Sequence, residues 1–127
     1  MKGLELLKEH PHSANLIKKW FVSSMVNSLS GAELPDDFKN YMLEQGVDDE
    51  KLAILIDANP RMLFDLFDEN KIYITISRGA KSFMFGWCDE DEFYLKDDPY
   101  STRKECEMAA IKIAFGILEA KLFPLED

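Results

Sequence analysis

The sequence predicts an α+β fold: short N-terminal helices, then a three-stranded antiparallel meander packed under a long C-terminal helix. Apolar residues recur at the helical period up to about residue 70, and the period drops to two at Lys71. The first two alternating runs are joined by Arg78-Gly79-Ala80-Lys81, which reads as a hairpin turn. A capping signal at Ser101-Thr102 then opens an uninterrupted helical pattern that runs to about Leu122.

The first element, Lys2 to His10, is stopped by Pro11. Ser13 is placed to cap a second helix through Ala14, Ile17, Phe21, Met25 and Leu29, and Gly31 is its stop signal. Leu34-Pro35-Asp36-Asp37 starts a third, with proline in the first turn and two acids at the positive end of the dipole. It carries Phe38, Tyr41 and Met42 and ends at Gly46. Asp48 caps a segment with Leu52, Ile54, Leu55 and Ile56, and Asn59-Pro60 breaks it to begin a short helix through Met62, Leu63, Leu66 and Phe67. Lys71–Ser77 puts Ile72, Ile74 and Ile76 on one face, and Ser82–Cys88 does the same with Phe83, Phe85 and Trp87. Glu92–Lys96 is a shorter third strand and Asp97-Asp98-Pro99 a loop. In the last helix Cys106, Ala109, Ala110, Ile113, Ile117 and Leu118 form the packing face, and the small Ala109, Ala110 and Gly116 allow close approach to the sheet. Lys104, Glu105, Lys112 and Glu119 mark its wet side.

A chain of 127 residues, 46% apolar and 12% aromatic, can bury a core without disulfide or metal support, which excludes wholesale disorder. Residues 1–58 form a helical region and 59–127 an α-β-β-β-α unit, expected to fold as one body. No apolar run reaches membrane-spanning length, and the opening residues lack the apolar stretch of a signal peptide. Two cysteines are too few for a secreted disulfide scaffold, so the expected setting is the cytoplasm.

Net charge is −9, and it is unevenly placed: residues 31–70 carry three bases against eleven acids. Such a chain repels nucleic-acid phosphate at long range. The expectation is a non-enzymatic protein that binds a protein partner through an acidic surface of Asp36, Asp37, Asp48, Asp49, Glu50, Asp89, Glu90, Asp91 and Glu92. A surface of this kind can imitate nucleic-acid phosphates toward a basic protein. An exposed strand edge would also let two copies pair as a homodimer.

The order of helix (60–68), three strands (71–96) and long helix (101–121) resembles the double-stranded-RNA-binding domain. Ser101-Thr102-Arg103-Lys104-Glu105-Cys106-Glu107-Met108-Ala109-Ala110-Ile111 is similar to the start of that family's last helix, where a basic opening runs into an Ala-Ala packing face. The resemblance implies duplex-RNA binding through Arg78, Lys81, Arg103 and Lys104 as the alternative function. Arg103 and Lys104 match the family's first two helix lysines, whereas Glu107 stands where the third belongs and reverses the charge. The segment 101–119 also looks like small uncharacterised proteins of phages and prophages, which would place the chain in a host cytoplasm.

Other constellations carry less. His10 and His12, the only histidines, read as exposed terminal residues. Cys88 and Cys106 read as small buried hydrophobes, although a helix start can lower a thiol pKa at Cys106. The run Asp89–Glu92 lacks the spacing of a calcium loop, and the singly scattered glycines form no phosphate loop, so no metal or cofactor is expected. The second sheet face, with Tyr73, Thr75, Ser77, Ser82, Met84 and Tyr94, is expected to lie under the N-terminal helices through Trp20, Phe21 and Tyr41.

Overall fold

The computed structural model describes residues 2–29 and 46–122. The segment read as a helix from Leu34 to Gly46, with Asp36, Asp37 and Tyr41, lies outside the described residues apart from Gly46 itself. Helices α1 (Lys2–Glu9) and α2 (Pro11–Leu29) are separated by His10 alone. Pro11 therefore opens α2 as well as ending α1, because a first-turn residue needs no N–H partner. The His10 carbonyl accepts the first helical bond from Ala14 at 2.8 Å.

Helix α3 (Asp49–Ala58) is capped as expected, the Asp48 carboxylate accepting from the Lys51 N–H at 2.8 Å. A 3₁₀ turn, Pro60–Leu63, leads into α4 (Phe64–Glu69). The exit from α4 is a Schellman motif: Ile72 N–H donates to Phe67 O at 2.9 Å and Lys71 N–H to Asp68 O at 3.0 Å. Lys71 takes the left-handed conformation this requires, with φ 64°. That role removes Lys71 and Ile72 from the strand, so β1 begins at Tyr73 and not at Lys71.

Strands β1 (Tyr73–Arg78), β2 (Phe83–Cys88) and β3 (Phe93–Tyr100) form an antiparallel sheet in the order β1-β2-β3. The third strand is the longest of them, and Asp97-Asp98-Pro99 belongs to it. Pairing passes from Phe85↔Lys96 to Phe83↔Tyr100, so Met84 alone faces Asp97, Asp98 and Pro99 across a bulge. A bulge tolerates proline, whose missing N–H would otherwise break the ladder. Helix α5 (Arg103–Leu122) follows, and the Thr102 hydroxyl accepts from the Glu105 N–H at 3.2 Å.

Helix α5 packs on two sides at once. Cys106 and Ala110 meet Phe85 beneath the sheet's inner face. Ile111, Ala114, Phe115 and Leu118 enter the larger cluster with Leu7 and Ile17 of the first helices, Leu52 and Ile56 of α3, and Phe67. The single packing face read from the sequence is thus about half of what is buried. Gly116 is not a packing residue: it is exposed, and a Cβ built there meets nothing within 4 Å. Gly116→Ala should raise stability by about 0.5–1 kcal/mol, the helix-propensity difference at an unhindered site, as read from urea unfolding.

Two helix starts are completed by carboxylates from distant parts of the chain. Gly3 N–H donates to Asp57 Oδ1 of α3 at 2.8 Å, and α1 passes so close that a Cβ on Gly3 would lie 3.0 Å from the Ala53 carbonyl. At α2 the cap is Glu119, which accepts from the His12 N–H at 2.6 Å and the Ser13 N–H at 3.3 Å. Glu119 is therefore no wet-side residue. Ser13, expected as the cap, lies buried inside the helix and donates to the Phe115 carbonyl at 3.4 Å. Glu119→Ala should cost about 0.5–2 kcal/mol, with Glu119→Gln losing less because its amide oxygen still accepts; denaturant midpoints test both.

Candidate interaction surface

Directly opposed residues share a face of the sheet, so the pairing register sorts the side chains. Ile74, Ile76, Phe85, Trp87, Tyr94 and Lys96 fall on the α5 side. Tyr73, Thr75, Ser77, Met84, Gly86, Cys88, Phe93 and Leu95 fall on the outer side. Tyr94 thus moves from the face expected of it: its ring stacks on Trp87 at 5.3 Å and 18°. Its hydroxyl donates to Glu92 at 2.7 Å, and that bond holds the phenol pKa above its usual value.

The outer face is open. Phe93 is 62% exposed, Leu95 57% and Tyr73 41%, with Thr75 and Ser77 exposed beside them. Trp20 and Phe21, expected to cover this face, pack instead on the helical cluster, where the first helices already find apolar partners on α5. Tyr41 lies outside the described residues. Across the face, the Phe93 ring lies over Gly86, so close that a Cβ at Gly86 would sit 2.9 Å from Phe93 Cζ. A bare glycine backbone under an aromatic ring is a recurrent way to shield a ladder where a side chain cannot fit.

The turn between β2 and β3 borders this face and is rigid. Asp89 Oδ1 accepts from the Asp91 and Glu92 N–H groups, both at 2.8 Å, and Asp89 N–H donates to Glu92 O at 3.1 Å. These backbone donors, Glu92 first and then Asp91, hold the Asp89 carboxyl below its usual range. Glu90 is also lowered, by its hydrogen bond and ion pair with Lys71 at 2.5 Å. Asp89, Glu90, Asp91 and Glu92 therefore present four consecutive carboxylates on a fixed scaffold.

A folded pKa below the unfolded one stabilises the native state above the ordinary carboxylate pKa. That contribution is lost as pH falls through the depressed value. Asp89→Asn keeps an oxygen acceptor for the turn but should flatten stability against pH below about pH 4, which acid unfolding followed by circular dichroism would measure.

The other sequence-predicted acids sit elsewhere. Asp48 caps α3, Asp49 pairs with Lys18 of α2, and Glu50 is exposed beside them. Asp36 and Asp37 lie outside the described residues. The expected acidic surface is thus divided between separate elements: Asp89–Glu92 adjoins the exposed Phe93, Leu95 and Tyr73, and Glu50 stands one helical turn from the exposed Ile54.

The four basic residues gather at the opposite end of the meander. Arg78 and Lys81 flank the β1–β2 turn, and Phe83↔Tyr100 pairing brings the start of α5, with Arg103 and Lys104, to that same end. The Arg78 guanidinium lies 5.8 Å from the centre of the Phe83 ring. Glu107 does not project among these cations as a surface phosphate contact would; it is only 7% exposed.

His10, expected at the surface, is half-buried with its ring 5.5 Å from Phe115, because the sharp α1–α2 corner tucks it against α5. Nδ1 of His12 lies 3.1 Å from Glu119. Cys106 is buried, and burial pushes its thiol pKa up, with the Glu107 charge adding to the effect; the helix start does not activate it. Cys88 is half-buried on the outer face. Among the described residues no three or more His, Cys, Asp or Glu side chains are placed to hold a metal ion. No described helix is long and apolar enough to cross a membrane.

Phe93 and Leu95 are the site residues that the sequence reading missed. The signal was the four-residue length of the turn Asp89–Glu92, which sets the pairing of Trp87 with Tyr94 and so turns Phe93 and Leu95 outward. No family model matches the chain, and comparison with curated proteins and with solved structures gives no match.

Proposed function

We propose that this chain is a non-enzymatic binding protein that docks a basic protein partner through the outer face of its sheet and the acidic turn beside it. The observation that carries this reading is the adjacency of Phe93, Leu95 and Tyr73, all exposed, to the four carboxylates Asp89–Glu92. Exposed apolar side chains bordered by charge have the layout of an interface centre and its rim. The partner's complementary surface carries apolar side chains ringed by Lys or Arg. Negative charge steers its approach, and the apolar contacts slow its departure.

The test is paired capture with the full chain as bait, using wild type, Phe93→Ser/Leu95→Ser, and Glu90→Gln/Asp91→Asn/Glu92→Gln. A protein retained by wild type, lost with the first variant and released by moderate salt supports the reading. Retention that is equal for all three baits sinks it, provided circular dichroism shows all three folded.

A second reading is favoured by one observation, the gathering of Arg78, Lys81, Arg103 and Lys104 at the other end of the sheet. Together with the resemblance of the α-β-β-β-α order, it supports duplex-RNA binding. Filter retention of duplex RNA that falls steeply with salt and is lost in Lys81→Gln/Lys104→Gln would favour it over the first reading.

A further inference from the structure

Between the 3₁₀ turn, α4, β1 and the start of α5 lies a cleft of ≈170 Å³ lined by Arg61, Phe64, Ile74, Ile76, Arg103 and Glu107. Glu107 is only 7% exposed and lines this cleft; among the described residues its carboxylate makes no hydrogen bond or ion pair, and its oxygens are not sealed from solvent. A carboxylate that opens only to a narrow, partly apolar cleft is free to take a donor from a molecule that enters it. Arg61 and Arg103, both exposed, also line the cleft and make no ion pair with Glu107, although Arg103 stands one helical turn before it. The remaining walls, Phe64, Ile74 and Ile76, are apolar.

Two positive groups, one negative group and an apolar wall restrict what fits. A simple oxyanion between the arginines would face the Glu107 charge, and a simple cation on Glu107 would face both arginines. A zwitterion satisfies all three, since a carboxylate accepts from the guanidiniums and an ammonium donates to Glu107 in charge-assisted bonds. At about 30 Å³ per water-sized group, the space suits the buried part of a molecule of roughly six non-hydrogen atoms.

We infer that this cleft binds a free α-amino acid with a small aliphatic side chain. Its carboxylate lies on Arg61 and Arg103, its ammonium on Glu107, and its side chain against Phe64, Ile74 and Ile76. The cleft lies on the α5 side of the sheet, so this binding is independent of the outer-face docking proposed above.

The test is an NMR titration of the full chain, with methyl-labelled isoleucine, against L-valine and L-alanine. Acetate, ethylammonium, N-acetyl-L-valine and inorganic phosphate serve as single-charge controls. Saturable shifts of the Ile74 and Ile76 methyls are expected at millimolar amino acid, with each control at least about tenfold weaker, the loss of one charge-assisted bond. Arg61→Gln and Glu107→Gln should each weaken L-valine binding by a similar factor. If Glu107→Gln fails to fold, Arg61→Gln on the exposed rim decides. Phosphate or acetate binding as tightly as valine would make this an anion site and overturn the inference. So would the absence of a saturable shift with either amino acid, or an Arg103–Glu107 ion pair closed over the cleft in the ligand-free protein.

Discussion

Phe115→Ala should cost about 3–5 kcal/mol, the range for removing a fully buried aromatic ring from a core that collapses only in part. Phe115 is 0% exposed, sits edge-on to Phe67 with ring centres 5.9 Å apart, and lies 5.5 Å from the His10 ring. It is where α5 meets both the corner between the first two helices and α4, so its loss loosens both contacts together. Against a total stability of about 5–15 kcal/mol, the loss is a large fraction, and thermal midpoints should fall by roughly 10–20 °C. Phe115→Leu, which keeps most of the volume, should lose much less. Urea unfolding measures both; a cost below about 1 kcal/mol for the alanine variant would mean that this ring is not in the shared core.

At the centre of the sheet Gly86→Ala is expected to cost about 1–3 kcal/mol, the usual penalty for forcing a methyl group into a filled space. The new Cβ would stand 2.9 Å from Phe93 Cζ and 2.9 Å from the Tyr94 carbonyl oxygen. The ring can swing away, but the backbone oxygen is held by the β2–β3 ladder. The second contact therefore decides the sign. In a Phe93→Leu background the ring clash disappears and the carbonyl clash stays, so part of the cost should persist. Recovery of full stability in the double variant would show that the ring alone was the obstacle.

Why some features were legible in the chain and others were not follows from the distance over which each is decided. Asp48 and Thr102 cap their helices through N–H groups three residues on, and both were readable because the donor and acceptor are neighbours in sequence. Glu119 caps α2 across 107 positions and Asp57 caps α1 across 54, and no local pattern marks either. Helix α5 hid half of its packing for a related reason. A helix buried on two sides carries apolar residues around most of its circumference, so periodicity alone could not separate Phe115 and Ile111 from a solvent face.

The candidate surfaces divide in the same way. The acids of Asp89–Glu92 and the bases at Arg78, Lys81, Arg103 and Lys104 could be named from the sequence, but their placement at opposite ends of the meander is a property of the strand order. Phe93 and Leu95 became surface residues, and Tyr94 an inner one, through the register of a single turn. Glu107 looked like a misplaced charge on an exposed helix start, yet only 7% of it is exposed and it lines a cleft with two arginines. The chain by itself determined its fold class, its helix and strand types and its excess of negative charge, because period, capping and composition act within a few residues. Tertiary structure alone decided which face of the sheet stays open, which carboxylates close helices and which residues line each cleft, because those depend on contacts between residues far apart in sequence.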